Sequence, residues 1–383
     1  MLKLMQFTIN RAAFVKELNN VSRAISSKTT IPILTGLKIV ASDTGLLLTG
    51  SNADISIETL IRSDDPDIGL TVDEPGSIVL TARFFSEIVK RLPEKTMTVS
   101  VKDGFQTEIT SGSAAFNING QDANNYPHLP EVDAGDAVTL SGAVFKELIS
   151  QTVIAVSNQE SRPILTGVHF VLADNQFLAV ATDSHRLSQR QIELPTPSNA
   201  AFDVIIPGKS LTELSRMIGD DDSDVKMQFS ENQVLFLLGD TSFYSRLLEG
   251  NYPDTSRLIP KDASTTVEFE APELLAAVER ASLLSHESRN NVVKLTLKPS
   301  DHQVTIFSNS PDVGNVEEAL TPKTLDGEDL EISFNPDYMK DALRSFGQSV
   351  IRVAFTSALR PFTLVPTEDT SNFIQLITPV RTF

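Results

Sequence analysis

The sequence predicts an α+β chain of three tandem domains, each built from two helix-plus-antiparallel-strands units, and three observations carry that prediction. A short alternating strand that runs at once into a capped amphipathic helix occurs six times in the 383 residues. Between the helices the chain reads as short alternating strands broken by turns, for example Leu37-Lys38-Ile39-Val40, Leu46-Leu47-Leu48-Thr49 and Ile55-Ser56-Ile57, the pattern of hairpins. A longer period then pairs the units. Ile31-Pro32-Ile33-Leu34-Thr35-Gly36 returns as Arg162-Pro163-Ile164-Leu165-Thr166-Gly167, and Asn125-Tyr126-Pro127 returns as Asn251-Tyr252-Pro253. Domains over 1–130, 131–259 and 260–383 follow, with linkers near His128 to Asp136 and Ile259 to Ser264.

The six units justify themselves in order. Phe7-Thr8-Ile9 leads through the N-cap Asn10 into a helix with the apolar stripe Phe14, Leu18, Val21 and Ile25. Ile78-Val79-Leu80 leads through Thr81 into Phe85, Ile88, Val89 and Leu92. Val138-Thr139-Leu140, capped by Ser141, precedes Phe145, Leu148, Ile149, Thr152 and Val156. Val204-Ile205-Ile206 precedes Leu211, Leu214, Met217 and Ile218, with Gly219 as the stop. Val267-Glu268-Phe269 precedes Leu274, Leu275, Val278 and Ala281, with Pro272 in the first turn. Ile332-Ser333-Phe334 passes through the cap pair Asn335-Pro336 to Met339, Leu343 and Phe346, and Gly347 ends the helix.

Composition narrows the function classes. Apolar residues at 40% and charged residues at 21% are ordinary globular values, so a fully folded chain is expected. There is no Cys, which removes disulfides, thiolate metal sites and cysteine nucleophiles, and fits a reducing compartment. The segment Met1 to Phe7 lacks a long apolar stretch and no eighteen apolar residues run together, so a soluble, cytoplasmic protein is expected. A net charge of −18 argues, on its own, against a nucleic-acid partner. The charge is unevenly placed, however. The helical stretches 10–25, 82–92, 142–157, 208–219, 271–285 and 336–347 carry +2, +2, 0, +1, −1 and 0, or +4 together, which leaves −22 for strands and loops. Helices gathered on one side would give a face tolerant of phosphate and an exterior that repels it.

No catalytic constellation is found. Pro207-Gly208-Lys209-Ser210 resembles the end of a phosphate-binding loop, but Asp203 occupies the earlier glycine position, so a helix start is the better reading. Asp183-Ser184-His185 holds the residue types of a hydrolase triad, yet adjacent residues cannot present converging side chains. Asp220-Asp221-Asp222-Ser223-Asp224 lacks the glycine and distal glutamate of a calcium loop and reads as a solvated turn. The His residues at 128, 169, 185, 286 and 302 show no ligand spacing. No catalytic residue, metal or cofactor is expected.

Ala181-Thr182-Asp183-Ser184-His185-Arg186-Leu187 resembles the Thr-Asp-Gly-His-Arg-Leu signature of the bacterial DNA polymerase III beta subunit, or beta sliding clamp, family. Asn251-Tyr252-Pro253-Asp254, Arg257-Leu258-Ile259-Pro260, Val79 to Phe85 and the terminal Pro379-Val380-Arg381 reinforce it. The resemblance spans the chain. It implies three clamp domains forming half of a ring, helices inside and sheets outside, closed by a head-to-tail homodimer around double-stranded DNA. It further implies a non-catalytic processivity factor for the replicative polymerase, which binds linear peptides of the polymerase alpha subunit, the clamp loader, other polymerases and repair proteins. By position, the DNA-contacting residues are Lys28, Arg83, Lys90, Gln159 and Lys209. Lys28 stands where the family has Arg, keeping the charge and losing the planar fork. The implied peptide groove is Leu165, Thr182, Ser184, His185, Arg186, Leu187, Pro253, Arg257, Leu258, Leu376, Pro379, Val380 and Arg381, and the implied dimer interface is Phe116, Leu283 and Leu284. The ending Thr378-Pro379-Val380-Arg381-Thr382-Phe383 departs from the family's common Met-Pro-Met-Arg-Leu, and two absent Met side chains imply a less adaptable groove. Ser184 replaces the signature Gly. Two other readings stand beside this one: a peptide-binding adaptor of the same fold that does not encircle DNA, and a nuclease or nucleotidyl-transfer enzyme, which the absence of converging carboxylates disfavours.

Overall fold

The computed structural model describes residues 3–129, 132, 137–195, 200–219, 223–287, 291–369 and 372–381. Most of the expected first linker, Asp220 to Asp222 of the acidic run, and the last two residues lie outside the described residues. All six expected helices form: α1 (Arg11–Ser22), α2 (Ala82–Arg91), α3 (Gly142–Thr152), α4 (Gly208–Ser215), α5 (Ala271–Ser285) and α6 (Pro336–Ser345). The Asn10 side chain accepts from the amides of Ala12 and Ala13, and Asn335 accepts from Asp337 N at 2.8 Å, so these two caps satisfy otherwise orphaned donors. Thr81 occupies its N-cap without a side-chain bond, so α2 starts on backbone geometry. Helix α4 stops at Ser215, short of the expected Gly219, whereas Gly347 follows α6 at φ +58°, the left-handed conformation of a helix stop. None of these helices is long and apolar enough to cross a membrane.

The strand that feeds each helix makes its main ladder with a strand of the neighbouring unit, while Lys3–Asn10, Gly76–Thr81 and Thr265–Glu270 also pair within their own units, with Thr71–Glu74, Ala114–Gln121 and Thr324–Gly327. Lys3–Asn10 pairs with Thr96–Lys102 (Phe7 opposite Val99), and Gly76–Thr81 pairs with Gly36–Ser42 (Ile78 opposite Ile39). The same exchange joins Val138–Ser141 to Asp224–Phe229 and Phe202–Pro207 to Gly167–Ala173. It recurs between Thr265–Glu270 and Val350–Phe355, and between Leu330–Phe334 and Val293–Lys298. Two units are therefore interlocked through backbone hydrogen bonds, and the smallest piece that closes its sheets is a pair.

The chain divides into two compact units, residues 1–143 with 216–247 and residues 144–215 with 248–383. In the first, a thirteen-stranded sheet runs through the sequence repeat: Thr241–Arg246 pairs with Ile55–Arg62, and the Thr59 and Thr241 hydroxyls meet at 2.8 Å. Under it Phe14 of α1 meets Phe85 of α2 edge-on at 5.8 Å and Phe7 at 6.2 Å. In the second unit, a nine-stranded sheet pairs Arg186–Glu193 with Phe373–Ile377, beside a four-stranded sheet ending at Gly314–Leu320. Of the strand edges left open among the described residues, two lie near the expected interface residues: Gly314–Leu320 pairs only with Gln303–Ser310, and Ala114–Gln121 has Gln106–Ser111 on one side and touches Gly76–Thr81 only at its last two residues.

The repeated Asn-Tyr-Pro motif explains itself in the fold. Tyr126 is buried with Leu34, Val79 and Ala123, while Tyr252 packs against Val180, Leu187 and Leu376. Burial pushes both phenols up to about 12. The neutral phenol is therefore the form the fold prefers. Its contribution to stability is complete below the unfolded value of about 10 and is lost as pH rises through about 12. An ultraviolet titration of tyrosinate should show two of the four tyrosines ionising near pH 12 in the native protein, with stability falling over the same window. Four midpoints near the model-peptide value would contradict this burial.

Candidate functional site

The signature segment is a tight turn between two paired strands, Gln176–Thr182 and Arg186–Glu193. Asp183 organises it. Its Oδ1 accepts from the amides of His185 (2.9 Å) and Arg186 (3.0 Å), and its Oδ2 accepts from Arg186 Nε at 3.0 Å. The Thr182 hydroxyl donates to Arg186 O at 2.6 Å and accepts from Ser184 N at 3.1 Å. The Asp183 carboxylate is thus committed to turn geometry, and His185 joins it there through its backbone amide. Ser184 sits at φ +79°, where a side chain is strained and glycine is not, and its Oγ accepts from Arg162 Nη1 at 3.0 Å.

Three sequence-distant segments converge on this turn. Tyr252 OH accepts from Thr182 N at 3.0 Å, which anchors the stretch holding Pro253, Arg257 and Leu258. The C-terminal strand pairs Leu376 with Leu187, and Thr378 N then donates to His185 O at 2.9 Å, which lays Pro379, Val380 and Arg381 beside the turn. The Arg162–Ser184 bond brings in the short 3₁₀ turn that holds Leu165. All thirteen expected groove residues therefore belong to one neighbourhood, graded from floor to rim, with Thr182 buried and Arg186, Pro379 and Val380 half-buried between the two. Leu165, Leu187 and Leu376 are buried, with Leu187 and Leu376 in one cluster beneath Tyr252 and Ile259. Leu258, 50% exposed, and Ser184, His185, Pro253, Arg257 and Arg381 form the exposed rim. Arg257 pairs with Asp254 at 3.1 Å, and its guanidinium remains open to solvent.

The structure adds residues that the sequence reading missed. Tyr338 of α6 lies under the rim, with the Arg186 guanidinium 4.5 Å from its ring centroid and His185 stacked on it at 6.3 Å. Asp341, one turn further on, accepts from Arg186 Nη1 at 2.7 Å, so Arg186 is held between two carboxylates and one ring. Neither helix residue carries a local sequence signal for this role. Tyr252 did, through the repeat of Asn-Tyr-Pro.

The basic candidates are all on the surface. Arg83 and Lys90 project from α2, Lys209 from the first turn of α4, and Lys28 and Gln159 from the loops after α1 and α3. None of the four cations forms a salt bridge among the described residues, in contrast to Arg91, Arg280 and Arg344, which pair with Glu87, Glu318 and Glu279. Lys209 lies at a plain strand-to-helix junction, as its sequence context suggested. Phe116 is 41% and Leu283 70% exposed, and Leu284 is half-buried. Phe116 lies on one open strand edge, and Leu283 follows Arg280 of α5, whose guanidinium pairs with Glu318 of the other.

Three family models cover nearly the whole chain: the DNA polymerase III beta subunit N-terminal domain at residues 5–130, the central domain at 139–254 and the C-terminal domain at 256–381. The chain belongs to the DNA polymerase III beta subunit family. It is 50% identical over 380 residues to the beta sliding clamp of Bacillus subtilis, covering 99% of this chain and 100% of that relative. The crystal structure of the Bacillus subtilis DNA polymerase sliding clamp matches with a TM-score of 0.95, again over 99% and 100% of the two chains at 50% identity. A Pseudomonas aeruginosa sliding clamp solved bound to griselimycin is 25% identical with a TM-score of 0.91, over 99% of this chain and 100% of that one. Within the family's central-domain match, the turn at Ser184 carries a testable strain. Ser184→Val, a β-branched side chain at positive φ, should lower stability by about 1–2 kcal/mol, whereas Ser184→Gly should leave it within about 0.5 kcal/mol because relief and chain entropy offset. Chemical denaturation of the two variants measures this, and a Val variant as stable as the parent would refute the strain.

Proposed function

We propose that this chain is a DNA sliding clamp: a non-catalytic processivity factor that closes as a head-to-tail homodimeric ring around double-stranded DNA and tethers the replicative polymerase to it. The observation that carries the reading is the match to a relative named beta sliding clamp over 99% of this chain and 100% of that relative. Three clamp domains over 1–130, 131–259 and 260–383 supply the half-ring, helices inside. Lys28, Arg83, Lys90, Gln159 and Lys209 touch the phosphate backbone without reading sequence, as sliding demands. Their exposure and freedom from salt bridges support that role. The two open strand edges, flanked by Phe116 on one and Leu283 and Leu284 on the other, are different surfaces, which suits a heterologous contact. The groove around Ser184 docks linear peptides of the polymerase alpha subunit, the clamp loader, other polymerases and repair proteins, with the buried leucines as its floor and Leu258, Arg257 and His185 as its rim. The protein acts in the bacterial cytoplasm, at the nucleoid where its DNA is.

Loaded onto nicked circular DNA, the protein should stay bound through gel filtration and be released when the circle is linearised. Retention on the linear form would mean ordinary surface binding, and failure to load with peptide binding intact would point to an adaptor that does not encircle DNA. For the groove, Arg257→Ala and, separately, removal of residues 378–383 should each weaken binding of a Gln-containing apolar peptide at least tenfold, about 1.4 kcal/mol. Size-exclusion chromatography should show an unchanged dimer in both, and unaltered peptide affinity would remove the groove assignment.

A further inference from the structure

A cavity of about 520 Å³ opens in the second compact unit, away from the groove, between α3, the end of α6 and the loop after Phe362–Pro366. Its polar wall is Glu147, Gln151, Arg190, Glu368 and Asp369. Gln151 is only 5% exposed, and its Nε2 donates to Glu147 Oε1 at 2.9 Å. That bond fixes the amide's orientation and leaves Gln151 Oε1 as a buried acceptor with no hydrogen-bond partner among the described residues. The single cation is committed: Arg190 Nη1 donates to Asp369 Oδ2 at 2.7 Å, and its guanidinium lies 5.9 Å from the Phe373 ring centroid. Three carboxylates against one paired guanidinium leave the wall with an excess of two negative charges.

The missing partner must therefore be a donor and a cation. An anion has no free positive group to meet. A metal ion is disfavoured by spacing, since no group of three or more acidic or His side chains among the described residues could hold one. The remaining class is an organic polycation whose ammonium groups are spread along an alkyl chain, able to reach separated carboxylates at once while its methylenes lie on Val350 and Pro366. The cavity volume is that of a small-molecule site. We propose that this cavity binds an aliphatic polyamine, with one ammonium donating to Gln151 Oε1 and Glu147 and another facing Glu368 and Asp369.

Calorimetric titration of the full-length protein with spermidine, and with 1-aminobutane as a single-charge comparison, tests this. The expectation is one saturable spermidine site per chain, weaker binding of the monoamine, and an affinity that drops threefold or more both in Gln151→Leu and in the double variant Glu147→Gln/Glu368→Gln. Glu317→Gln, on the distant strand Gly314–Leu320, should leave it unchanged and so reports generic attraction to an acidic protein. Thermal midpoints accompany each variant. Should Gln151→Leu not fold, the double variant, which changes two exposed side chains, decides by itself. Non-saturating uptake, or a saturable site that the double variant leaves within threefold, overturns the proposal.

Discussion

Every helix of this chain is placed by a strand whose main ladder is made with the neighbouring unit. The segments Lys3–Asn10 and Gly76–Thr81 each run without a turn into a helix, and each satisfies its backbone in the sheet of the neighbouring unit. Gly36–Ser42 consequently has its own hairpin partner on one side and the exchanged strand on the other, leaving no edge. The exchange also fixes the helices. Because α1 and α2 start from strands that have traded sheets, they meet each other, ring against ring at Phe14 and Phe85. In the same way α5 and α6 meet through Glu279 and Arg344. Paired helices over interlocked sheets are what allow a single repeat to supply both a helical layer and a sheet shared between neighbours.

That arrangement gives the uneven charge a physical meaning, and refines it. Counted by element, the helices carry +4 against a net −18. Counted by partner, they differ. The cations of α5 and α6 are tied up: Arg280 with Glu318, Arg344 with Glu279, Lys340 with Asp337. Lys28, Arg83, Lys90 and Lys209 form no salt bridge among the described residues, but neither do Lys261, Lys298 and Arg360 of the last third of the chain, so pairing separates the helices from one another without assigning a phosphate-facing role to one part of the chain.

The sequence made the helices legible because each has a buried stripe at helical spacing and a recognisable start. It could not reveal the strand exchange. Alternation tells which face of Phe7-Thr8-Ile9 is buried, since Phe7 and Ile9 are fully so, but any apolar strand of similar length offers the same face to a partner. For the same reason the two compact units cut across the sequence repeat, with Thr241–Arg246 joined to Ile55–Arg62 by backbone bonds that no periodicity encodes. The groove divided likewise. The turn at 181–187 was readable as a contiguous motif, whereas Tyr338, Asp341 and Arg162 enter from other segments and carry no mark of their destination. Burial was not legible in the motif either: Leu165 and Leu187 are buried as core residues are, whereas Leu258 is 50% exposed.

The division between floor and rim says where this chain's ligand preference originates. The floor is shared between two strands in register, Leu187 opposite Leu376, and cannot change shape without breaking that pairing. Adaptability must therefore reside in the rim and the tail. The tail is itself restrained, since Thr378 N is bonded to His185 O and Val380 N to Ser333 O. Thr378 and Val380, both β-branched, stiffen it further. Ser184 acts in the same direction: its strained backbone and its bond from Arg162 hold the turn in one conformation. On the proposed reading, a groove with a rigid floor, a tethered tail and a locked turn gains affinity by preorganisation and loses tolerance for ill-fitting peptides, which leaves discrimination to the exposed rim, where Leu258 stands open and Arg257 is held only by Asp254.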